Sequence, residues 1–105
     1  MPLTESLRDH LTRIESDLVA LRRDLHRIPE VGLLLPNTQR RLLDALDGLP
    51  LEITLGRGCT GITAVLRGTA GPAASAERRV VLLRGDMDGL PVTELTGLEF
   101  ASTNG

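Results

Sequence analysis

The feature that most constrains the fold is a regular spacing of apolar residues at the start of the chain. They recur at intervals of three and four, as Leu3, Leu7, Leu11, Ile14, Leu18, Leu21, Leu25 and Ile28. This spacing predicts an amphipathic helix with one apolar stripe. Thr4 is a candidate N-cap, Glu5 suits the positive end of the helix dipole, and Pro29 stops the helix. The stripe either covers a core or forms the seam of a dimeric coiled coil.

A second helix is predicted from Asn37 or Thr38 to Asp47. Gly48 suits the position just after a helix, and Pro50 prevents continuation. The buried face of this helix is expected to consist of leucines, namely Leu42, Leu43, Leu46 and Leu49.

Three strands are predicted after the helices. "LEITLG" alternates apolar and polar residues and, with "ITAVLR", is typical of a hairpin. "RVVLLR" is continuously apolar between its arginines, which predicts a central strand buried on both faces. Residues 68–77 are predicted to be a loop of small residues, and no clear element is predicted after Pro91. This order predicts an α/β fold, in which N-terminal helices precede the start of a mixed sheet.

Composition excludes several classes of function. The 105 residues carry a net charge of −2, and Phe100 is the one aromatic side chain. A basic surface for nucleic acid or membrane is therefore not expected, nor a base-stacking platform. A single cysteine, the absence of an export signal and the lack of a long apolar run indicate a cytoplasmic protein. All 12 basic residues are arginine, which suggests a bacterial genome rich in G and C.

Two acidic residues, Asp86 and Asp88, follow the predicted central strand in "VVLLRGDMDGLPVTE". The end of such a strand is where open α/β sheets place ligands, although a polar loop is an equally valid interpretation. "RGD" is also an adhesion tripeptide, but an export signal would be expected with it. The haloacid dehalogenase phosphatases share Asp-x-Asp-Gly after an apolar strand. In this chain Leu90 stands where they have Thr or Val, and about 85 residues precede the motif.

Three blocks in order resemble another family more extensively. "LRRDLHRIPEVG" with a following "NT", then "GRGCTGITAVLRG", then "LLRGDMDGLPVTELTGLEFAST" cover about residues 18–104. They resemble the zinc-dependent amidohydrolases and metallopeptidases of the aminoacylase, hippurate hydrolase and auxin-conjugate hydrolase type. The resemblance implies a two-domain enzyme, with a smaller domain that often mediates dimer contact. It also implies two divalent metal ions, which are zinc in this family. The implied reaction is hydrolysis of N-acyl-amino-acid or peptide amide bonds.

The resemblance also implies roles for individual residues. Asp88 matches the acid that orients a ligand from behind the metal site. Asp86 stands where the carboxypeptidase-like branch has a metal-binding His, and it is expected to contact backbone or the edge of the site. The amidohydrolase branch takes metal ligands from a later Cys-Gly-His-Asp motif, which this sequence lacks. Residues 1–105 are therefore expected to be the N-terminal part of the catalytic domain, inactive and without metal when isolated.

The remaining candidate ligands are assigned other roles. His10 is expected to be solvated on the polar side of the first helix, and His26 to form a structural hydrogen bond near its end. Cys59 is expected to be a buried or half-buried thiol in the hairpin turn. Glu30 matches the family in "PEVG" and could simply accept hydrogen bonds from backbone. The resemblance also implies a small-molecule substrate and a homodimer of the full-length protein.

Overall fold

The computed structural model describes residues 3–70 and 79–103. Two helices come first, α1 (Leu3–Arg27) and α2 (Pro36–Leu46). Two strands follow, β1 (Glu52–Leu55) and β2 (Ile62–Val65), and they form an antiparallel sheet. The α/β fold class is confirmed, with both helices preceding the strands. The predicted small-residue loop falls largely outside the described residues.

Helix α1 ends where the sequence predicts. The Ile28 amide donates to the carbonyl of Leu25 over 3.2 Å, and Pro29 follows. The helix starts at Leu3, so Thr4 lies inside it and the N-cap interpretation is wrong. No residue of α1 that the structure describes is buried, and Leu3 is 76% exposed. Ile14, Leu21 and Leu25 of the stripe are half-buried, so within the described part of the chain the stripe covers a core only in part.

Helix α2 begins one or two residues earlier than predicted, with Pro36 in its first turn. Proline suits this place because the first amides of a helix have no partner within it. Gly48 has a φ of +81°, the left-handed conformation predicted for the residue that follows the helix end. The buried residue of α2 is Thr38, whereas three of the predicted leucines are half-buried and Leu49 is 55% exposed.

The predicted hairpin is confirmed. Glu52 lies opposite Val65 and Leu55 opposite Ile62, and the Gly56 amide donates to the carbonyl of Gly61 over 2.9 Å. The turn is tight at Gly56, where an added Cβ would lie 2.7 Å from the carbonyl oxygen of Cys59. Glycine is therefore required at this position by the close approach of backbone.

The predicted central strand is wrong for this structure. Residues 80–83 form no strand, and each of them is at least 83% exposed. A strand needs a neighbour to pair its amides and carbonyls. Among the described residues β1 and β2 pair only with each other. The apolar run thus has the composition of a central strand, but no strand among the described residues pairs with it.

The core is small and lies around the loop between the helices. Leu35 and Thr38, at 4% and 5% exposure, are the buried side chains of the described residues. Thr60 ties the hairpin to this loop, because its hydroxyl accepts from the Leu35 amide at 2.7 Å and donates to the Leu33 carbonyl at 3.0 Å. Within the described ranges, no helix is both long and apolar enough to cross a membrane.

Candidate functional site

A groove of about 710 Å³ lies where the end of α1, the start of α2 and residues 86–94 meet. Helix α1 contributes Arg22, Leu25 and His26 to its lining, and α2 contributes Thr38 and Leu42. The third wall contains both acids of the sequence motif, Asp86 and Asp88. The first and third sequence blocks are therefore adjacent in space.

The two acids differ in their surroundings. Asp86 forms an ion pair with Arg84 at 2.7 Å, and both side chains are largely exposed. Asp88 has no hydrogen bond or ion pair within the described parts of the chain, and it is exposed at the groove. Asp88 can therefore accept a hydrogen bond from a ligand without first releasing a partner.

Gly89 fixes the acidic loop to the "PEVG" segment. Its amide donates to the carbonyl of Glu30 over 2.7 Å. A Cβ added to Gly89 would lie 2.5 Å from the Cβ of Pro29, closer than real contacts allow. The residue that follows Asp88 therefore has to be glycine for the two segments to meet as they do.

Glu30 caps helix α2 from outside the helix. One carboxylate oxygen accepts from the Thr38 amide at 2.6 Å, and the other accepts from the amide and side chain of Asn37 at 3.3 Å. The N-cap position itself, Leu35, has no side chain that could do this. Burial alone would raise the pKa of Glu30, but these hydrogen bonds outweigh it and lower that pKa. The expectation that Glu30 bonds backbone is confirmed.

His26 pairs with Glu94 across the groove. Its Nε2 lies 2.7 Å from Oε1 of Glu94, whose Oε2 accepts from the Ser102 amide at 2.7 Å. The hydrogen bond with His26, followed by that from Ser102, lowers the pKa of Glu94. The structural hydrogen bond expected of His26 is confirmed. Sequence reasoning missed Glu94, because nothing in one sequence links positions 68 residues apart.

The implied pair of metal ions does not fit the described residues. No group of three or more His, Cys, Asp or Glu side chains in residues 3–70 and 79–103 is arranged to hold a metal ion. His10 lies on the exposed face of α1, 3.4 Å from Arg13, as expected. Cys59 is a half-buried free thiol in the hairpin turn, also as expected.

Comparison with known proteins identifies the class to which this chain is similar. Its relatives are bacterial deacetylases, which are enzymes that hydrolyse amide bonds. The N-acetyldiaminopimelate deacetylase of Streptococcus uberis is 45% identical over 89 residues, 82% of this chain and 22% of the relative. The enzymes of the same name from Halalkalibacterium halodurans and Geobacillus thermodenitrificans are 44% and 42% identical over 92 and 88 residues. They match 85% and 83% of this chain.

These relatives confirm the resemblance to the amidohydrolase family. They also favour the amidohydrolase interpretation of the chain over the phosphatase one. The chain spans only 22–23% of the length of the curated relatives it matches. No family model matches the chain. No solved structure matches it either.

Proposed function

We propose that residues 1–105 form the N-terminal part of the catalytic domain of a cytoplasmic amidohydrolase that removes an acyl group from an N-acyl amino acid. The observation that carries this proposal is the 45% identity to an N-acetyldiaminopimelate deacetylase over most of the chain. N-acetyldiaminopimelate is therefore the first substrate to test. Homodimerisation of the full-length protein belongs to the same proposal.

In this proposal Asp88 orients a ligand at the groove. Its carboxylate has no partner in the described residues, so it is available to accept a hydrogen bond from an imidazole or amine. Asp86 lies at the edge of the site, where its ion pair with Arg84 already uses part of its hydrogen-bonding capacity.

The two divalent metal ions, zinc by family resemblance, also belong to the proposal. When bound, they would acidify a water and polarise the amide carbonyl. Because the described residues contain no suitable ligand set, the remainder of the full-length protein would have to hold them. We therefore expect the isolated chain, with added zinc or cobalt, to show no cleavage of N-acyl amino acids. Turnover that is lost in Asp88→Ala would contradict this expectation.

The proposal is tested by a hybrid enzyme. The matching segment of the S. uberis deacetylase is replaced by residues 1–105, and release of diaminopimelate from its N-acetyl derivative is measured with zinc present. We expect activity, with a loss of about 10- to 100-fold in Asp88→Asn, the range found for residues that orient metal ligands. Asp86→Asn should lose less.

Glu99→Gln is the matched control, since Glu99 is an exposed acid outside the groove lining. It should leave the activity unchanged. An Asp88→Asn hybrid as active as the control would contradict the role of Asp88. A folded hybrid that hydrolyses nothing would contradict the assignment to the deacetylases.

A further inference from the structure

We infer that His26 and Glu94 are positioning residues that clamp residues 94–103 onto the end of α1 and so fix the wall of the groove that carries Asp88. The clamp has two parts. Glu94 uses both carboxylate oxygens, one with His26 and one with the Ser102 amide, each at 2.7 Å. Thr103 then binds the carbonyl of Arg27 through its amide at 3.0 Å and its hydroxyl at 2.9 Å.

The end of α1 explains why Thr103 binds there. The last carbonyls of a helix have no amide partner within it. Pro29 prevents another turn, so the carbonyl of Arg27 needs a donor from elsewhere in the chain. Thr103 supplies two donors, its amide and its hydroxyl, to this one oxygen. A residue 76 positions away in sequence thereby caps the C-terminal end of α1.

Phe100 adds an apolar contact to the same place. Its ring meets the His26 ring edge to face, with centroids 5.9 Å apart, and the Arg23 guanidinium lies 4.5 Å from its centroid. A single exposed ion pair would hold a loop weakly. Here a polar pair, two backbone amides, a hydroxyl and the Phe100 ring all act on a ten-residue segment. This segment has no regular secondary structure.

The clamp holds the C-terminal end of residues 86–94, which form the acidic wall of the groove. Gly89 is held by the Glu30 carbonyl at one end, and Glu94 is held by His26 at the other. The residues between them are therefore attached at both ends beside the groove. Asp88 directly precedes Gly89, so it adjoins the first of these attachments, and the second holds the wall that continues from it. The importance of this for turnover rests on the proposed function, whereas the clamp itself does not.

Amide hydrogen exchange followed by NMR on the chain tests the clamp without any activity. In Glu94→Ala the Ser102 amide loses its acceptor, and we expect it to exchange about five- to tenfold faster, the effect of one lost hydrogen bond. The Thr103 amide should also exchange faster, because it belongs to the same clamp. The Gln39 amide, bonded to the Leu35 carbonyl in α2, should keep its rate.

Two further variants separate the clamp from general destabilisation. Glu94→Gln keeps an oxygen acceptor and should restore part of the Ser102 protection, whereas Glu99→Ala, in the same segment, should change nothing. Equal acceleration at Ser102 and Gln39 would mean a merely structural role and would overturn the inference. The inference would also be overturned if the Ser102 and Thr103 amides of the unmodified chain exchanged as fast as amides in an unstructured peptide. Either outcome leaves the hybrid-enzyme test of the deacetylase assignment unaffected.

Discussion

Replacement of Glu30 should destabilise helix α2 more than an ordinary surface change would. Its carboxylate is the acceptor for the amides of Asn37 and Thr38, at 3.3 and 2.6 Å, in a helix whose N-cap residue provides none. Loss of such a cap costs about 0.5 to 2 kcal/mol. A negative charge at the start of a helix adds about 0.3 to 1 kcal/mol. We therefore expect Glu30→Ala to lower the free energy of unfolding by about 1 to 2 kcal/mol.

Urea unfolding followed by far-UV circular dichroism measures this change, since the chain has no Trp or Tyr to report by fluorescence. Glu30→Gln keeps a neutral oxygen acceptor and should lose about half as much, because charge-assisted hydrogen bonds are roughly twice as strong as neutral ones. Glu15→Ala, on the exposed face of α1, is the control and should stay within about 0.5 kcal/mol of the unmodified chain. The capping argument fails if Glu30→Ala and Glu15→Ala change the unfolding free energy equally while its dependence on urea concentration stays the same.

The lowered pKa of Glu30 gives the same interaction a pH dependence. A carboxylate whose pKa is lower in the folded than in the unfolded state stabilises the fold above its ordinary value of 4.5. That contribution is lost as the pH falls from 4.5 through the folded-state pKa. The difference in unfolding free energy between the unmodified chain and Glu30→Gln should therefore shrink on acidification across this range. A difference that does not change with pH would contradict the assignment.

Two further substitutions test the contacts that hold the loops together. Gly89→Ala should destabilise the chain by about 1 to 3 kcal/mol, because the new Cβ would lie 2.5 Å from the Cβ of Pro29. Gly85→Ala, with open space at its Cβ, should be near neutral in the same urea titration. Thr60→Val leaves the amide of the buried Leu35 without its acceptor and should cost about 1 to 3 kcal/mol, whereas Thr60→Ser keeps the hydroxyl and should restore most of it.

The elements that sequence reasoning predicts correctly are those determined by near neighbours in the chain. Periodicity and Pro29 place the end of α1, Gly48 places the end of α2, and alternation places the hairpin. Each signal acts within a few residues, so one sequence is enough to detect it. The start of α2 is predicted one or two residues late, because the prediction does not use the preference of proline for the first helical position. The cap of this helix comes from Glu30, which no local rule identifies.

The apolar run at residues 80–83 shows the opposite case. Its composition is right for a strand buried on both faces, yet it is exposed and unpaired in the described structure. Strand formation depends on a neighbour that supplies hydrogen bonds, and such a neighbour can lie anywhere in the chain. Leu3, Leu7 and Leu11 at the start of the α1 stripe are exposed for a similar reason, since a helix buries its stripe only where another element covers it.

The candidate site lies between these extremes. The sequence identifies Asp86 and Asp88 as candidate site residues. Their positions in space depend on contacts that no sequence pattern predicts. Glu30 connects the two blocks through different atoms. Its side chain caps α2, and its carbonyl binds the Gly89 amide. A shift of Glu30 would thus move the start of α2 and the acidic loop together. A change that shifts the Glu30 backbone should therefore affect both the stability of α2 and the placement of Asp88, whereas a side-chain substitution removes only the cap, because the carbonyl remains.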